Sequence, residues 1–214
     1  MELRKLPPAL AVISPTRRDL LIAIKMRGEA RVDELSKALS ITPSAVRQHI
    51  ASLEADGLLA HRAIKGKPGR PKFMFRLTPA SEAFFPRNYE GLVGDLIDIL
   101  DEEDPALVGK LFERRAERRL ARIKERLQGK PLGDRVRELV SLLQDEGYLA
   151  DLESTPDGGY RIVEHNCALL AAAEHSPLVC ESELRFFRRA LPDASIERVA
   201  RIVDGSPRCA YEIR

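Results

Sequence analysis

Residues 32–59 read VDELSKALSITPSAVRQHIASLEADGLL, and the spacing within them decides the fold of the first third of the chain. Leu35, Ala38 and Leu39 make one face of a short helix, and Ser40-Ile41 is a tight turn. Thr42 is a good N-cap, with Pro43 at the first helical position, where its missing N–H costs nothing. Val46, Ile50 and Leu53 then recur at helical spacing until Asp56-Gly57 stops the run. Two helices joined by a turn of about three or four residues meet the requirement of a helix-turn-helix. With Val46, Ile50 and Leu53 inward, Ser44, Arg47, Gln48 and Ala51 fall on the outer face of the second helix. Its N-terminal half is the part that enters a DNA major groove. Arg47 can reach guanine O6/N7 or phosphate, Gln48 can bond adenine, and His49 can meet phosphate; Thr42 completes the candidate set.

Working outward, Ser14 and Thr16 bracket Pro15 at an earlier helix entry. Leu20, Leu21 and Ile24 mark that helix's apolar face, and Gly28 ends it. Downstream, AHRAIKGKPGRPKFMFRLT supplies two strand-like runs, 59–64 and 72–77, around a segment rich in turn residues and cations. This predicts the wing of a winged helix. Lys65, Lys67, Arg70 and Lys72 are its phosphate-neutralising candidates, and Arg70 in the extended Gly-Arg-Pro suits an adjacent minor groove. A solvated basic hairpin beside an ordinary three-helix bundle is the plainer alternative. The order of capped helix, spaced core and basic hairpin outweighs it. Residues 17–78 resemble the winged helix-turn-helix of bacterial ArsR/DeoR-type regulators, with AVRQHIASLEADGLL as recognition helix and exit. That resemblance implies a homodimer on a partly palindromic double-stranded DNA operator.

Charge agrees with this division of labour. Residues 1–90 hold 16 Lys+Arg against 9 Asp+Glu, and the rest of the 214 residues hold 19 against 24. The basic part favours a polyanion. Composition is that of a globular protein, 44% hydrophobic and 32% charged. No apolar run reaches the roughly 18 residues of a membrane span. MELRKLPPALAVISPTRRDL carries no clear signal-peptide cleavage pattern, so the expected location is cytoplasmic, with no membrane partner.

The expected fold class is α+β, in three parts: a winged helix-turn-helix domain over 1–80, a helical linker and dimerisation region over 81–150, and a small α/β sensory domain over 151–214. In the middle part Phe112, Ala116, Leu120, Ile123 and Leu127 form a narrow apolar stripe on a helix otherwise almost wholly charged. Such a helix needs a partner, and dimerisation is the expected use. Packing within its own domain is the alternative, and DNA contact by Arg114, Arg115, Arg118 and Arg119 a weaker one. Val136, Leu139, Val140 and Leu143 predict a further amphipathic helix.

In the last part, Pro156-Asp157-Gly158-Gly159 is a turn and YRIVEHN alternates like a strand. Ser176 and Pro177 open a helix that Pro192 stops. Ile196, Val199, Ile202 and Val203 follow, then a turn at Gly205-Ser206-Pro207 and a closing strand. The chain's three cysteines, Cys167, Cys180 and Cys209, all fall at element boundaries. Cys180 lies in a first helical turn, where amide dipoles favour a thiolate. Spacing alone favours buried small hydrophobes, since no C-x₂₋₄-C knuckle is present.

Residues 160–213, YRIVEHNCALLAAA…PLVCESELRFFRRALP…ERVARIVDGSPRCAYEI, resemble the sensory domain of SufR-type regulators of iron–sulfur cluster assembly. That family spaces four cysteines by twelve, thirteen and fourteen residues. Cys167, Cys180 and Cys209 match the first, second and fourth, and Ala194 stands at the third. The resemblance implies an iron–sulfur cluster, [4Fe–4S] in type, held by these three cysteines. For the fourth ligand His165 is favoured over His175, a carboxylate or an exogenous group, because two residues before Cys167 on a strand it would share that residue's face. It implies a repressor of cluster-assembly genes, with coupling through the 107–127 helix. A winged-helix regulator answering to thiol oxidation, zinc or a small organic effector is the alternative. No P-loop or dinucleotide fingerprint is present, and Cys180 with His175 lacks an orienting group and an oxyanion motif, so no enzyme is expected.

Overall fold

The computed structural model describes residues 8–64 and 72–214, and they divide into two compact units, 1–87 and 88–214. The first holds helices α1 (Pro8–Ala11), α2 (Pro15–Arg27), α3 (Val32–Leu39) and α4 (Pro43–Ala55). Strands β1 (Glu29–Ala30), β2 (Leu59–Ile64) and β3 (Lys72–Leu77) form an antiparallel sheet in the order β1-β3-β2. Leu20, Leu21, Ile24, Leu35, Val46, Ile50, Leu53 and Phe75 make one buried core. The turn between α3 and α4 is tight because Ser40 adopts φ 56°, a left-handed conformation uncommon outside glycine. The Ser36 hydroxyl donates to the Ile41 carbonyl at 2.6 Å across that turn. This is the expected winged helix-turn-helix, with both strand ranges as read from the sequence.

The second unit contains α5 (Tyr89–Glu103), α6 (Pro105–Leu127), α7 (Leu132–Asp145), β4 (Ala150–Ser154), β5 (Tyr160–Glu164), α8 (Leu170–His175), α9 (Pro177–Ala190), β6 (Ile196–Ala200) and β7 (Cys209–Ile213). Its sheet is antiparallel throughout, in the order β4-β5-β7-β6. Ile162 and Tyr211 are opposed in the ladder and bury one sheet face with Ile196 and Ile213 against Phe186 and Phe187 of α9. The opposite face carries ion pairs such as Arg161–Glu212 at 2.6 Å. Among the described residues, no helix is long and apolar enough to cross a membrane.

Two expectations need correction. The expected 81–150 dimerisation region is not a separate part, because α5, α6 and α7 belong to the C-terminal unit. The α6 stripe does not await a partner either: Phe112, Ala116, Ile123 and Leu127 are buried within that unit, where α6 packs on α7 and α9. Arg119, weighed as a DNA contact, is 1% exposed. Its Nη1 donates to both Glu183 oxygens at 2.8 and 2.9 Å, its Nη2 lies 2.8 Å from Glu146, and its guanidinium stacks 3.9 Å from the Phe186 ring centroid. The helix is amphipathic because it crosses this sheet-and-helix core, with one buried cation anchoring it. β4 and α8 went unread, being a short polar edge strand and a two-turn Ala-rich helix with little periodicity.

Candidate functional site

Helix α4 presents its predicted face. The Thr42 hydroxyl accepts from the Ala45 N–H at 3.2 Å, so it serves the helix cap. Ser44, Arg47, Gln48 and Ala51 are exposed, His49 is half-buried, and Val46, Ile50 and Leu53 are buried behind them. Beside the helix start, a groove is lined by Arg31, Val32, Asp33, Pro43, Arg47, Lys72, Phe73 and Phe75, with Asp33 paired to Arg31 at 3.5 Å. Among the described residues Arg47 and Lys72 take part in no ion pair, so their charge is open to a phosphate. Arg62, by contrast, is neutralised by Glu29 at 3.0 Å. Lys65, Lys67 and Arg70, the expected wing tip, lie outside the described residues.

The three cysteines are brought to one region of the C-terminal unit from three elements. Cys167 follows β5, Cys180 lies in the first turn of α9, and Cys209 opens β7. A charge on Cys209 or Cys180 is felt at the Cys167 thiol. Cys180 packs against the cluster of Val108, Phe112, Ala172 and Val179, and Cys209 sits in the sheet core. The Cys209 sulfur accepts the Ile202 N–H at 3.3 Å, and the Cys180 carbonyl accepts from Arg198 at 2.8 Å.

Burial sets the thiol chemistry. It pushes Cys167 up to about 11 against a hydrogen bond from the Leu169 N–H, with Cys209, Glu164 and Cys180 adding repulsion. Burial also raises Cys209, offset in part by Ile202, and raises Cys180, offset in part by Arg198 and Arg201. The expectation that the helix start favours a Cys180 thiolate is therefore reversed: desolvation outweighs the dipole.

His165 does not join the thiols. In the ladder Glu164 opposes Cys209, so these two share a sheet face, and the next residue points away. His165 instead lies 3.2 Å from Asp151 with its side chain 45% exposed. His175 bonds Asp98 through Nδ1 at 2.9 Å, and its ring lies so close to Gly94 on α5 that a side chain there would collide with it. It is a packing residue.

The residue sequence reasoning missed is Glu164. It is 2% exposed, and its Oε1 has no hydrogen-bond partner. Burial first, then repulsion from Glu183, raises its carboxyl to about 8, against the pull of Arg119. The signal was present in the strand: Tyr160, Ile162 and Glu164 alternate in phase, which puts the acid on the face of core residue Ile162.

Among the described residues, no group of three or more His, Cys, Asp or Glu side chains is gathered closely enough to hold a metal ion. A tetrahedral zinc site needs its sulfurs on one atom. A polynuclear cluster has its own bulk and takes its ligands at separate corners. Three thiols carried on separate elements, with Arg198 and Arg201 near Cys180 to offset negative charge, are the donor chemistry that a cluster would need.

Residues 14–60 match the family model described as bacterial regulatory protein, arsR family, spanning α2 to the start of β2. No curated protein matches the chain. Among solved structures the chain is similar to the transcriptional regulator homologue protein from Pyrococcus horikoshii OT3, with 23% identity, 42% of this chain and 85% of that chain covered, and a TM-score of 0.29. It is similar to a mutant MarR from E. coli complexed with operator DNA, with 18% identity, 50% and 80% covered, and a TM-score of 0.31. It is also similar to Bacillus subtilis PadR in complex with operator DNA, with 16% identity, 80% and 97% covered, and a TM-score of 0.29.

Proposed function

Starting from the arsR-family helix-turn-helix at residues 14–60, we propose that this chain is a cytoplasmic, homodimeric transcription regulator. Its operator binding is set by an iron–sulfur cluster, and it acts as a repressor of cluster-assembly genes. The matched family is one of regulators, not enzymes. For DNA binding, the supporting feature is the pair of open cations, Arg47 and Lys72, on either side of one groove. Arg47 and Gln48 read base edges, while Lys72 and the wing cations neutralise phosphates.

The observation that carries the sensor reading is the placement of the three cysteines where separate elements of one unit meet: Cys167 just after β5, Cys180 in the first turn of α9 with its carbonyl held by Arg198 of β6, and Cys209 at the start of β7. These residues would hold the cluster, which supplies a centre whose presence depends on iron, sulfide and oxidants. The chain's part is to supply thiolates, exclude water with the α5, α8 and α9 side chains, and balance charge with Arg198 and Arg201. A redox-sensing thiol needs a depressed pKa, whereas all three here are raised.

The dimer face we assign to α5. Leu92, Leu96 and Ile99 are 51%, 50% and 54% exposed and with Tyr89 repeat at the 3-4-3 spacing of a coiled-coil seam, which Val93, 38% exposed, flanks. The flanks of α5 are acidic, and α6 exposes Lys110, Arg114 and Arg118. A second copy thus offers both an apolar seam and opposite charge. Occupancy of the thiol site need only favour one dimer arrangement; inverting a 1:99 population takes about 5.5 kcal/mol.

Anaerobic purification tests the reading. The expected result is a brown protein with bound iron and sulfide, losing both in Cys167→Ser, Cys180→Ser and Cys209→Ser, and binding its operator differently with and without cluster. A colourless anaerobic preparation that takes up neither iron nor sulfide refutes it.

A further inference from the structure

Three cysteines leave one corner of a four-iron cluster without a protein ligand, and the position that departs from the four-cysteine pattern does not fill it. Ala194 follows α9, and its neighbour Ser195 exchanges hydrogen bonds with Arg214 at 2.8 and 3.0 Å, beside the far end of β7. Cys209 opens that strand. The five steps from Cys209 to Arg214, at about 3.3 Å each, set them about 16 Å apart. A cysteine at 194 would not reach the other thiols.

Glu164 lies where the missing donor should be. It ends β5 directly opposite Cys209 on the same sheet face, which puts the two Cβ atoms about 5 Å apart. Its charge is felt at both Cys167 and Cys209. Neighbouring Arg119 is already committed to Glu183 and Glu146, and among the described residues Glu164 forms no ion pair. A carboxylate buried with an unpartnered oxygen is costly, and native proteins keep such a group when something unseen satisfies it.

We propose that Glu164 is the fourth protein donor of this site, completing with Cys167, Cys180 and Cys209 a three-thiolate, one-carboxylate set for a four-iron cluster. The inference rests on the cluster reading above and adds the identity of the ligand. A carboxylate is a harder base than a thiolate and less suited to cluster iron, so the iron it holds is the one most readily lost.

The test is anaerobic reconstitution of the full chain with ferrous ⁵⁷Fe and sulfide. Wild type, Glu164→Gln, Glu164→Cys and His165→Ala are compared by Mössbauer and EPR spectroscopy. Wild type and His165→Ala are expected to show an iron subsite distinct from the thiolate-bound ones. Glu164→Gln should lose that subsite and, once ferricyanide has removed one electron from the three-iron cluster left behind, give a three-iron EPR signal, and Glu164→Cys should make all subsites alike. Gln is isosteric, and circular dichroism checks folding; should it fold poorly, Glu164→Cys decides, an unchanged spectrum overturning the proposal. A second readout uses apo-protein: the infrared band of the buried carboxyl should be present in wild type, absent in Glu164→Gln, and lost on loading. If wild type takes up no iron or sulfide, the cluster reading falls and this inference with it. If wild type loads and Glu164→Gln matches it spectrum for spectrum, the ligand assignment alone falls.

Discussion

Replacing Arg119 with methionine removes the one cation buried at the centre of the C-terminal unit while keeping a long apolar side chain. Glu183, 6% exposed, then keeps only Arg115 at 2.8 Å and the Tyr148 hydroxyl at 3.3 Å. Glu146 keeps Arg122 at 2.6 Å. Breaking a buried pair by removing one partner costs about 3–5 kcal/mol, because the other charge stays buried. Arg115 still serves Glu183, and a methionine sulfur on the Phe186 ring recovers roughly 0.3–1.5 kcal/mol. The low end, about 3 kcal/mol, is therefore expected. At roughly 3–4 °C per kcal/mol for a unit of this size, Tm falls by about 10 °C. Arg119→Met with Glu183→Met removes both charges and should recover more than half of that loss, since apolar replacement of a buried pair is often neutral. The chain has a convenient probe: no tryptophan, and all four tyrosines, 89, 148, 160 and 211, in the second unit. Near-ultraviolet circular dichroism in the tyrosine band, beyond the phenylalanine absorption, thus follows that unit on heating. A single-mutant loss under about 1 kcal/mol, or a double mutant equal to the sum of its singles, refutes the buried-anchor argument.

Three further outcomes are expected. Lys72→Ala should weaken binding to every duplex alike and lower the slope of log K against log salt by about 0.9, whereas Arg47→Ala should reorder which sequences are preferred; fluorescence anisotropy across a salt series separates them. Leu96→Asp on the α5 seam should shift the protein from dimer to monomer in sedimentation velocity, and an unchanged dimer would place the interface elsewhere. In apo-protein at pH 8, the Cys167 thiol, raised to about 11, should alkylate on the order of a hundredfold more slowly than a free cysteine of pKa about 8.5. Peptide mass spectrometry reads the rate, and labelling as fast as free cysteine would restore the redox-sensor alternative.

How much the sequence disclosed depends on how local the determinants are. The helix-turn-helix was legible to the residue because Thr42, Pro43 and the Val46, Ile50, Leu53 row act within a few positions of one another. α6 was legible as a helix and misread as a surface. Its stripe reported correctly that it needs apolar cover, but a stripe does not say whether that cover is another chain or α7 and α9 of the same unit. Arg119 could be weighed as a DNA contact because Glu183 and Glu146, its partners in the core, lie 64 and 27 positions away.

The thiol region shows the same limit and a way past it. The family spacing singled out three cysteines as candidate donors and directed attention to position 194 and to His165, yet strand direction takes the first to the far end of β7 and alternation turns the second to the outer face. Alternation applied one residue earlier identifies Glu164, an acid in phase with Ile162 and therefore buried. That placement also joins two features that no local pattern connects. Glu164 feels both Arg119 and Glu183, and its charge reaches Cys167 and Cys209. A ligand bound through this carboxylate would change the field at the ion network anchoring α6. An electrostatic link from the thiol site to that helix thus passes through Glu164, beside the direct influence of Glu183 on Cys180, and Glu164→Gln is the substitution that should weaken it.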